Sequence, residues 1–91
     1  MRLEWDEAKR EANFAQHGLD FADAIRVLES DTIEWIDDRE KYGETRIQAF
    51  GRLDGRVVLV VYTLRDEELY RVISMRKADS NEERAYYEYL F

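Results

Sequence analysis

A two-residue turn, Asp54-Gly55, lies between two long, largely apolar segments and constrains the fold of this sequence more than any other feature. TRIQAFGRL precedes the turn and RVVLVVYTL follows it. Asp-Gly is a strong hairpin signal because the favoured two-residue turn needs a positive φ at both central residues. The sequence therefore predicts two antiparallel strands joined at this turn, with Leu53 opposite Arg56.

This register divides the side chains of the hairpin between the two faces of a sheet. The face that we predict to pack on the core carries Ile47, Ala49, Gly51, Val58, Val60 and Tyr62. The other face carries Arg46, Gln48, Phe50, Arg52, Val57, Leu59, Val61 and Thr63. Because VVLVVY is apolar on both faces, its strand is predicted to be central, and LYRVISM follows as the next strand after RDEE. The length of that turn is open, so the pattern does not decide which face Arg71 joins.

Two helices are predicted before the first strand. EWDEAKREANFAQHG contains strong helix formers, with Asp6 as a plausible N-cap and Gly18 suited to the left-handed position after the helix. Asp20 can cap a second helix. One buried stripe is predicted along it from the helical spacing of Phe21, Ala24, Ile25 and Leu28.

One strand and one helix complete the pattern. TIEWID alternates as a short strand does, with Ile33 and Trp35 on one side. SNEERAYYEYLF reads as a closing helix, with Ser80 and Glu83 at capping-box spacing. The predicted fold class is α+β: two N-terminal helices, a four-stranded antiparallel sheet and a C-terminal helix, in one domain over residues 1–91.

Composition excludes several classes of function. The sequence has no Cys and one His, so a disulfide framework and a zinc site are both excluded. Asp37 and Asp38 could hold a weakly bound Mg²⁺, although acidic turns are more often simply solvated. There is no Gly-rich phosphate loop and no nucleophile signature. The longest apolar run, VVLVVY, is too short to cross a bilayer, and a cytoplasmic location is expected.

The charge distribution is uneven. The formal net charge is −7, which argues against sequence-independent binding of nucleic acid by the whole surface. Residues 1–45 carry a net −7, residues 46–77 a net +3 and residues 78–91 a net −3. Arg46, Arg71 and Arg76 lie on or at the end of strands in the positive segment. Guanidinium groups match phosphate oxygens bidentately, but cross-strand pairing with nearby acids is equally compatible with the spacing, and both alternatives stay open.

Glu44 and His17 are the candidates for proton transfer. Glu44 is either a general base beside Arg46 or an ordinary member of a surface ion pair. His17 stands at the expected C-terminus of the first helix, where the macrodipole favours a cation, and this structural role is the simpler interpretation. Trp5 and Trp35 are interpreted as core or interface anchors rather than as base-stacking platforms.

A series of motifs runs in order along nearly the whole chain. EWDEAK is followed by a helix ending in HG, then by DDR with YGE and Arg, the DGR hairpin, a strand reaching YT, RVIS, and RKA with ER and Tyr after it. These ordered motifs resemble the BrnT toxins. The matching positions are Trp5, Lys9, His17, Arg39, Tyr42, Glu44, Arg46, Arg71, Arg76 and Arg84.

The resemblance implies a fold similar to the RelE/ParE superfamily and the activity of a ribonuclease that arrests growth by cutting RNA. It also implies a BrnA antitoxin with a ribbon-helix-helix domain, contact with operator DNA only through that antitoxin, and no metal or other cofactor. Catalysis would use Arg46, Arg71 and Arg76 to stabilise phosphate charge, and Glu44 or His17 to transfer protons. RNA binding would use Arg39, Tyr42, Lys77 and Arg84, with the Tyr42-Gly43 turn bringing Glu44 and Arg46 to the sheet.

The alternative hypothesis is a binding module. A BrnT-like domain with this acidic surface, weak or inactive in catalysis, would bind the antitoxin and tune operon repression. Both hypotheses require the antitoxin, and only the first requires a site that grips RNA.

Overall fold

The structure is a computed structural model that describes residues 1–90. The strands are β1 (Arg2–Glu4), β2 (Ile33–Asp37), β3 (Arg46–Leu53), β4 (Arg56–Leu64) and β5 (Leu69–Lys77). The helices are α1 (Glu7–His17), α2 (Ala24–Leu28) and α3 (Ser80–Leu90), and a single 3₁₀ turn (Phe21–Asp23) precedes α2. Within residues 1–90, no helix is both long enough and apolar enough to span a membrane.

The predicted fold class is confirmed as α+β, but the predicted sheet is corrected. The sheet has five strands in the order β1-β5-β4-β3-β2, and it is mixed, because β1 runs parallel to β5 while the other pairs are antiparallel. β1 was not predicted. It has only three residues, too few for an alternating pattern, and its partner in β5 lies 67 positions away, Glu4 opposite Arg71.

The hairpin prediction is confirmed. Leu53 lies opposite Arg56, and the two turn residues have positive φ angles, 50° at Asp54 and 80° at Gly55. β4 lies at the centre of the sheet, and its residues from Val57 to Thr63 are buried. A central strand with apolar side chains on both faces requires a covering layer on each side.

Each face of the sheet has its own apolar cluster. The predicted core face packs against the 3₁₀ turn and α2, and Phe21, Ala24 and Val27 on these elements are fully buried. The opposite face packs against α3, where Tyr86 contacts the cluster of Phe50, Val57, Leu59 and Val61. α3 therefore covers one part of this second face and leaves another part for polar side chains.

The caps of α1 are as predicted. The Asp6 carboxylate accepts a hydrogen bond from Lys9 N at 3.1 Å, and Gly18 ends the helix with a φ of 70°. Asn13, buried in the middle of α1, attaches the helix to β5, because its side-chain oxygen accepts a hydrogen bond from Met75 N at 3.2 Å.

The second predicted helix is corrected. Asp20 does cap it, accepting from Ala22 N at 2.9 Å, but the first turn is 3₁₀ and α2 has only five residues. Of the predicted buried stripe, Phe21 and Ala24 are fully buried and Leu28 packs against the same cluster, whereas Ile25 is not one of its residues. Val27, which the prediction omitted, is fully buried.

The predicted cap of α3 is shifted by one residue. The capping box is formed by Asp79 and Glu82 instead of Ser80 and Glu83: Asp79 Oδ1 accepts from Glu82 N at 2.8 Å, and Glu82 Oε1 accepts from Asp79 N at 2.9 Å. An Asp at the N-cap position provides the acceptor that the first turn needs. The same Glu82 carboxylate also reaches across to β5.

Candidate functional site

A β-bulge in β5 decides where the arginines of this strand lie. Val61 pairs with Ser74 and Tyr62 pairs with Val72, so Ile73 is an extra residue opposite β4. Arg71 lies opposite Thr63 and Arg76 lies opposite Leu59, which places both on the α3 side of the sheet. Residues five apart in a regular strand point to opposite faces. The extra residue of the bulge brings the side chains of Arg71 and Arg76 to the same face. The face of Arg71, which the sequence left open, is thereby settled.

The segment between β2 and β3 supplies a second set of charged groups to the same face. Arg46 begins β3 opposite Asp37, and its guanidinium lies 4.0 Å from the centre of the Tyr42 ring. Its Nε is 3.4 Å from Glu44 Oε1. The Tyr42 hydroxyl is 3.4 Å from Asp37 Oδ2. The Tyr42-Gly43 turn thus places Glu44 and Arg46 at the start of β3, as the resemblance implied.

Asp37 is the buried anchor of this segment. Asp37 is only 4% exposed, and its carboxylate accepts two hydrogen bonds of 2.7 Å from Arg39 Nε and Nη2. These bonds lower the pKa of Asp37 to about 2, against the opposing effect of burial. The Arg39 guanidinium is held in place by these bonds, yet 62% of the Arg39 side chain stays exposed.

The two sets of arginines share one surface. Hydrogen bonds that Arg76 donates to Glu82 raise the pKa of Arg76, and the positive charge of Arg39 acts on Arg76 in the opposite direction. We refer to Arg39, Arg46, Arg71 and Arg76 as the arginine face. The loop before β3 and the bulged strand β5 therefore converge, although they lie far apart in the chain.

Every guanidinium of the arginine face has a carboxylate partner. Arg76 donates to both oxygens of Glu82, at 2.7 and 2.8 Å, and Arg71 donates to Glu4. The cross-strand alternative that the sequence left open is therefore present. The groups are nevertheless accessible: the side chains of Arg46, Arg71 and Arg76 are 23%, 30% and 38% exposed. A guanidinium has five N–H donors, and a bidentate pair with a carboxylate uses two of them.

Three of the predicted site residues lie elsewhere. His17 ends α1, which contacts β5 and packs near the 3₁₀ turn and α2, across the sheet from α3. Lys77 lies opposite Val58, and so on the face away from Arg76. Arg84 lies on α3, where it is exposed and donates to Asn81. The structure therefore does not bring His17, Lys77 or Arg84 to the arginine face.

Three acidic residues of the site were not recognised as partners of the arginines. The alternation of TIEWID could have placed Asp37 on the same face as Ile33 and Trp35, and hence near Arg46. Glu4 gave no signal, because β1 itself was not predicted. Asp79 and Glu82 also have the spacing of a capping box in the sequence. In the structure they form this box, and Glu82 then lies within hydrogen-bonding distance of Arg76.

The acidic side chains do not assemble into a metal site. No group of three or more His, Asp or Glu side chains that could hold a metal ion occurs among residues 1–90. Asp37, one of the two candidate ligands, is engaged by Arg39, and its neighbour Asp38 is exposed.

Comparisons with known proteins show the family of this chain. The family model described as "Ribonuclease toxin, BrnT, of type II toxin-antitoxin system" matches residues 5–82. A crystal structure of the Brucella abortus ribonuclease toxin BrnT is similar to this structure, with a TM-score of 0.65 and 35% sequence identity over 88% of this chain and 99% of that chain. No curated protein matches the chain. The resemblance seen in the motifs is confirmed, and the chain belongs to the BrnT family of ribonuclease toxins of type II toxin-antitoxin systems.

Proposed function

We propose that this protein is an endoribonuclease that cleaves RNA without a metal ion, arrests growth, and is neutralised by a BrnA-like ribbon-helix-helix antitoxin. The convergence of four arginines on one partly exposed face carries the proposal, because a scissile phosphodiester needs several cationic donors around its oxygens. The fold relationship to the RelE/ParE superfamily, the cytoplasmic location and the indirect contact with operator DNA belong to the same proposal.

Cleavage would proceed by attack of the ribose 2′-hydroxyl on the adjacent phosphorus. The new bond joins O2′ to phosphorus, the bond from phosphorus to O5′ breaks, and the products are a 2′,3′-cyclic phosphate and a 5′-hydroxyl. Arg46, Arg71 and Arg76 would stabilise the charge on the non-bridging oxygens in the transition state. The arginine donors that are not used by carboxylates are available for this contact.

Glu44 is the group that we assign to accept the 2′-hydroxyl proton. It lies beside Arg46 and lines a shallow cleft together with Thr63 and Arg65, so its carboxylate is accessible next to the arginine face. O5′ would take its proton from water. His17 has no place in this scheme, because it ends a helix on the other side of the sheet.

A specific observation favours the second candidate, an inactive binding module. Each guanidinium of the arginine face is already paired with a carboxylate, and the chain carries a formal charge of −7. RNA must therefore compete with Asp37, Glu44, Glu4 and Glu82 for the arginines. In the binding module these ion pairs would be purely structural.

The substitution Arg76→Met tests the catalytic proposal. It keeps an unbranched side chain but removes the charge, and we expect RNA cleavage to fall by roughly 10²–10³-fold. The free energy of unfolding should change by about 1 kcal/mol or less, because the pair with Glu82 is partly exposed. Arg56→Met is the matched control: Arg56 is exposed and lies opposite Leu53, away from the arginine face.

Cleavage of labelled RNA by purified protein in the presence of a chelator gives the measurement. Metal-independent cleavage by the wild-type chain and the Arg56 variant, with loss in the Arg76 variant, supports the proposal. Equal cleavage by both variants would remove Arg76 from the site. A folded wild-type chain that binds its antitoxin, cuts no RNA and leaves growth unaffected when induced in cells would favour the binding module.

A further inference from the structure

A second surface, separate from the arginine donors, lies where α3 meets the end of the sheet. A groove of about 110 Å³ runs between β2 and α3, and its walls are mostly apolar side chains: Ile33, Trp35, Phe50, Ala85, Tyr86 and Tyr89. Trp35 packs on Phe50 with ring centroids 5.3 Å apart, yet 48% of Trp35 stays exposed. Tyr89 is 79% exposed. Large aromatic side chains left this open are typical of protein interaction sites.

The strand that borders the groove has a free edge. β2 is the outermost strand next to β3, so one side of its backbone has no partner strand among residues 1–90. Its sequence, Ile33–Asp37, contains no Pro or Lys, the residues that commonly protect an edge strand. An extended segment of another protein can add to such an edge through backbone hydrogen bonds and place alternate side chains in an adjacent pocket.

Charge defines which segment fits. Residues 31–38, DTIEWIDD, carry four acidic side chains and no basic one. Asp37 is paired with Arg39 and Asp31 with Arg52, whereas Glu34 and Asp38 are exposed along this edge. On the other wall, Glu88 is exposed beside Ala85 and Tyr89, and Glu82, which lines the groove, is paired with Arg76. A second copy of this chain would bring acidic edges together, which is unfavourable. A segment rich in Lys and Arg with an apolar side chain between them is complementary to both walls.

We propose that the antitoxin docks here, adding an extended cationic segment to the free edge of β2 and inserting an apolar side chain between Trp35 and Tyr89. This inference rests on the antitoxin partner of the proposed function but not on RNA cleavage. The groove and the arginine face meet at Glu82, which lines the groove and holds Arg76. A segment bound in the groove therefore lies next to the surface where RNA would bind.

The substitution Ala85→Arg tests the docking surface. Ala85 is exposed in the wall of the groove, so a long cationic side chain fills the groove and repels the segment without disturbing the core. Ala12→Arg on α1 is the matched control, since Ala12 is exposed on a helix outside the groove. The probe is the purified product of the reading frame adjacent to this gene, together with overlapping synthetic peptides that cover it.

Titration calorimetry of the full-length chain with the probe measures the binding affinity of each variant. We expect Ala85→Arg to weaken binding by about 100-fold, as loss of a buried anchor does, and Ala12→Arg to leave it unchanged. Glu88→Lys, beside Ala85 and Tyr89, should weaken binding by roughly tenfold at low salt and reduce its salt dependence. Hydrogen exchange should show new protection of β2 amides in the complex, and one cationic peptide should reproduce this protection.

Three outcomes overturn the inference: equal binding by the Ala85 and Ala12 variants, no binding of the probe to the wild-type chain, or a dimer of the chain alone that Ala85→Arg dissociates. RNA cleavage measured on the same variants separates this inference from the catalytic proposal. Ala85→Arg should cleave RNA like the wild-type chain. A wild-type chain that cuts no RNA but binds the probe in the groove would refute the nuclease and leave the docking surface standing.

Discussion

Replacing Gly51 with alanine should destabilise the protein, although this substitution usually has the opposite sign. Gly51 lies in β3 and its φ is not in the left-handed region, so alanine can adopt its backbone conformation. At such positions Gly→Ala commonly stabilises by about 0.4–1 kcal/mol, because it restricts the unfolded chain. The packing of α2 on β3 reverses this expectation.

A Cβ atom at position 51 would lie 2.6 Å from the Val27 carbonyl oxygen, 2.6 Å from Ser30 Oγ and 2.9 Å from Val27 Cγ1. The carbonyl belongs to the backbone at the end of α2, so it can move only if the helix shifts away from the sheet. Overpacking of this kind costs about 1–3 kcal/mol. After the usual gain from Gly→Ala is subtracted, a net loss of about 1 kcal/mol corresponds to a decrease in Tm of roughly 4–8 °C for a domain of this size.

The loss of stability in Gly51→Ala can be measured by urea and thermal unfolding, with circular dichroism as the signal. Gly18→Ala is a useful comparison: nothing lies within 4 Å of its Cβ position, and only its φ of 70° opposes alanine, at about 1 kcal/mol. A double-mutant cycle with Ser30→Ala should be non-additive, because removing Ser30 Oγ relieves one of the short contacts. A Tm for Gly51→Ala equal to or above that of the wild type would refute the close approach of α2 and β3.

Two further predictions concern the acidic partners of the arginine face. The pKa of Asp37 is lowered from 3.8 to about 2, so the contribution of Asp37 to stability is complete above pH 3.8 and is lost as the pH falls toward 2. In urea unfolding measured as a function of pH, Asp37→Asn should therefore remove the pH dependence of stability in this range, and it should lower stability at neutral pH. Glu82→Ala should lower the free energy of unfolding by about 1–2 kcal/mol, because it removes a helix cap and the partner of Arg76. Glu83→Ala, one residue along, should change it by less than about 0.5 kcal/mol, and an equal loss at both positions would contradict the observed cap.

Features that depend on local chemistry could be predicted from the sequence. The Asp54-Gly55 turn sets the register of β3 and β4, and Asp6 and Gly18 delimit α1, because each of these residues acts on its own neighbours. The convergence of Arg46 with Tyr42 and Glu44 belongs to the same class, since these residues lie within one short segment.

Features that depend on distant partners could not be predicted. β1 exists because Arg2–Glu4 pairs with β5 at the other end of the chain, and the pairing of Arg71 with Glu4 follows from it. The bulge at Ile73 has no local signal, and it decides whether Arg71 and Arg76 share a face. The second helix begins with a 3₁₀ turn, and its buried side includes Val27, which the helical spacing from Phe21 did not select.

The single extra residue in β5 makes chain length, more than composition, the sensitive property of this strand. An in-frame loss of one codon near Ile73 would restore a regular ladder and carry Arg71 and Arg76 to opposite sides of the sheet, even though every charged residue survived. A one-residue loss in the exposed turn at residues 65–68 leaves the strand parity intact. In relatives of this chain, we therefore expect insertions and deletions to be common in that turn and absent from the bulge.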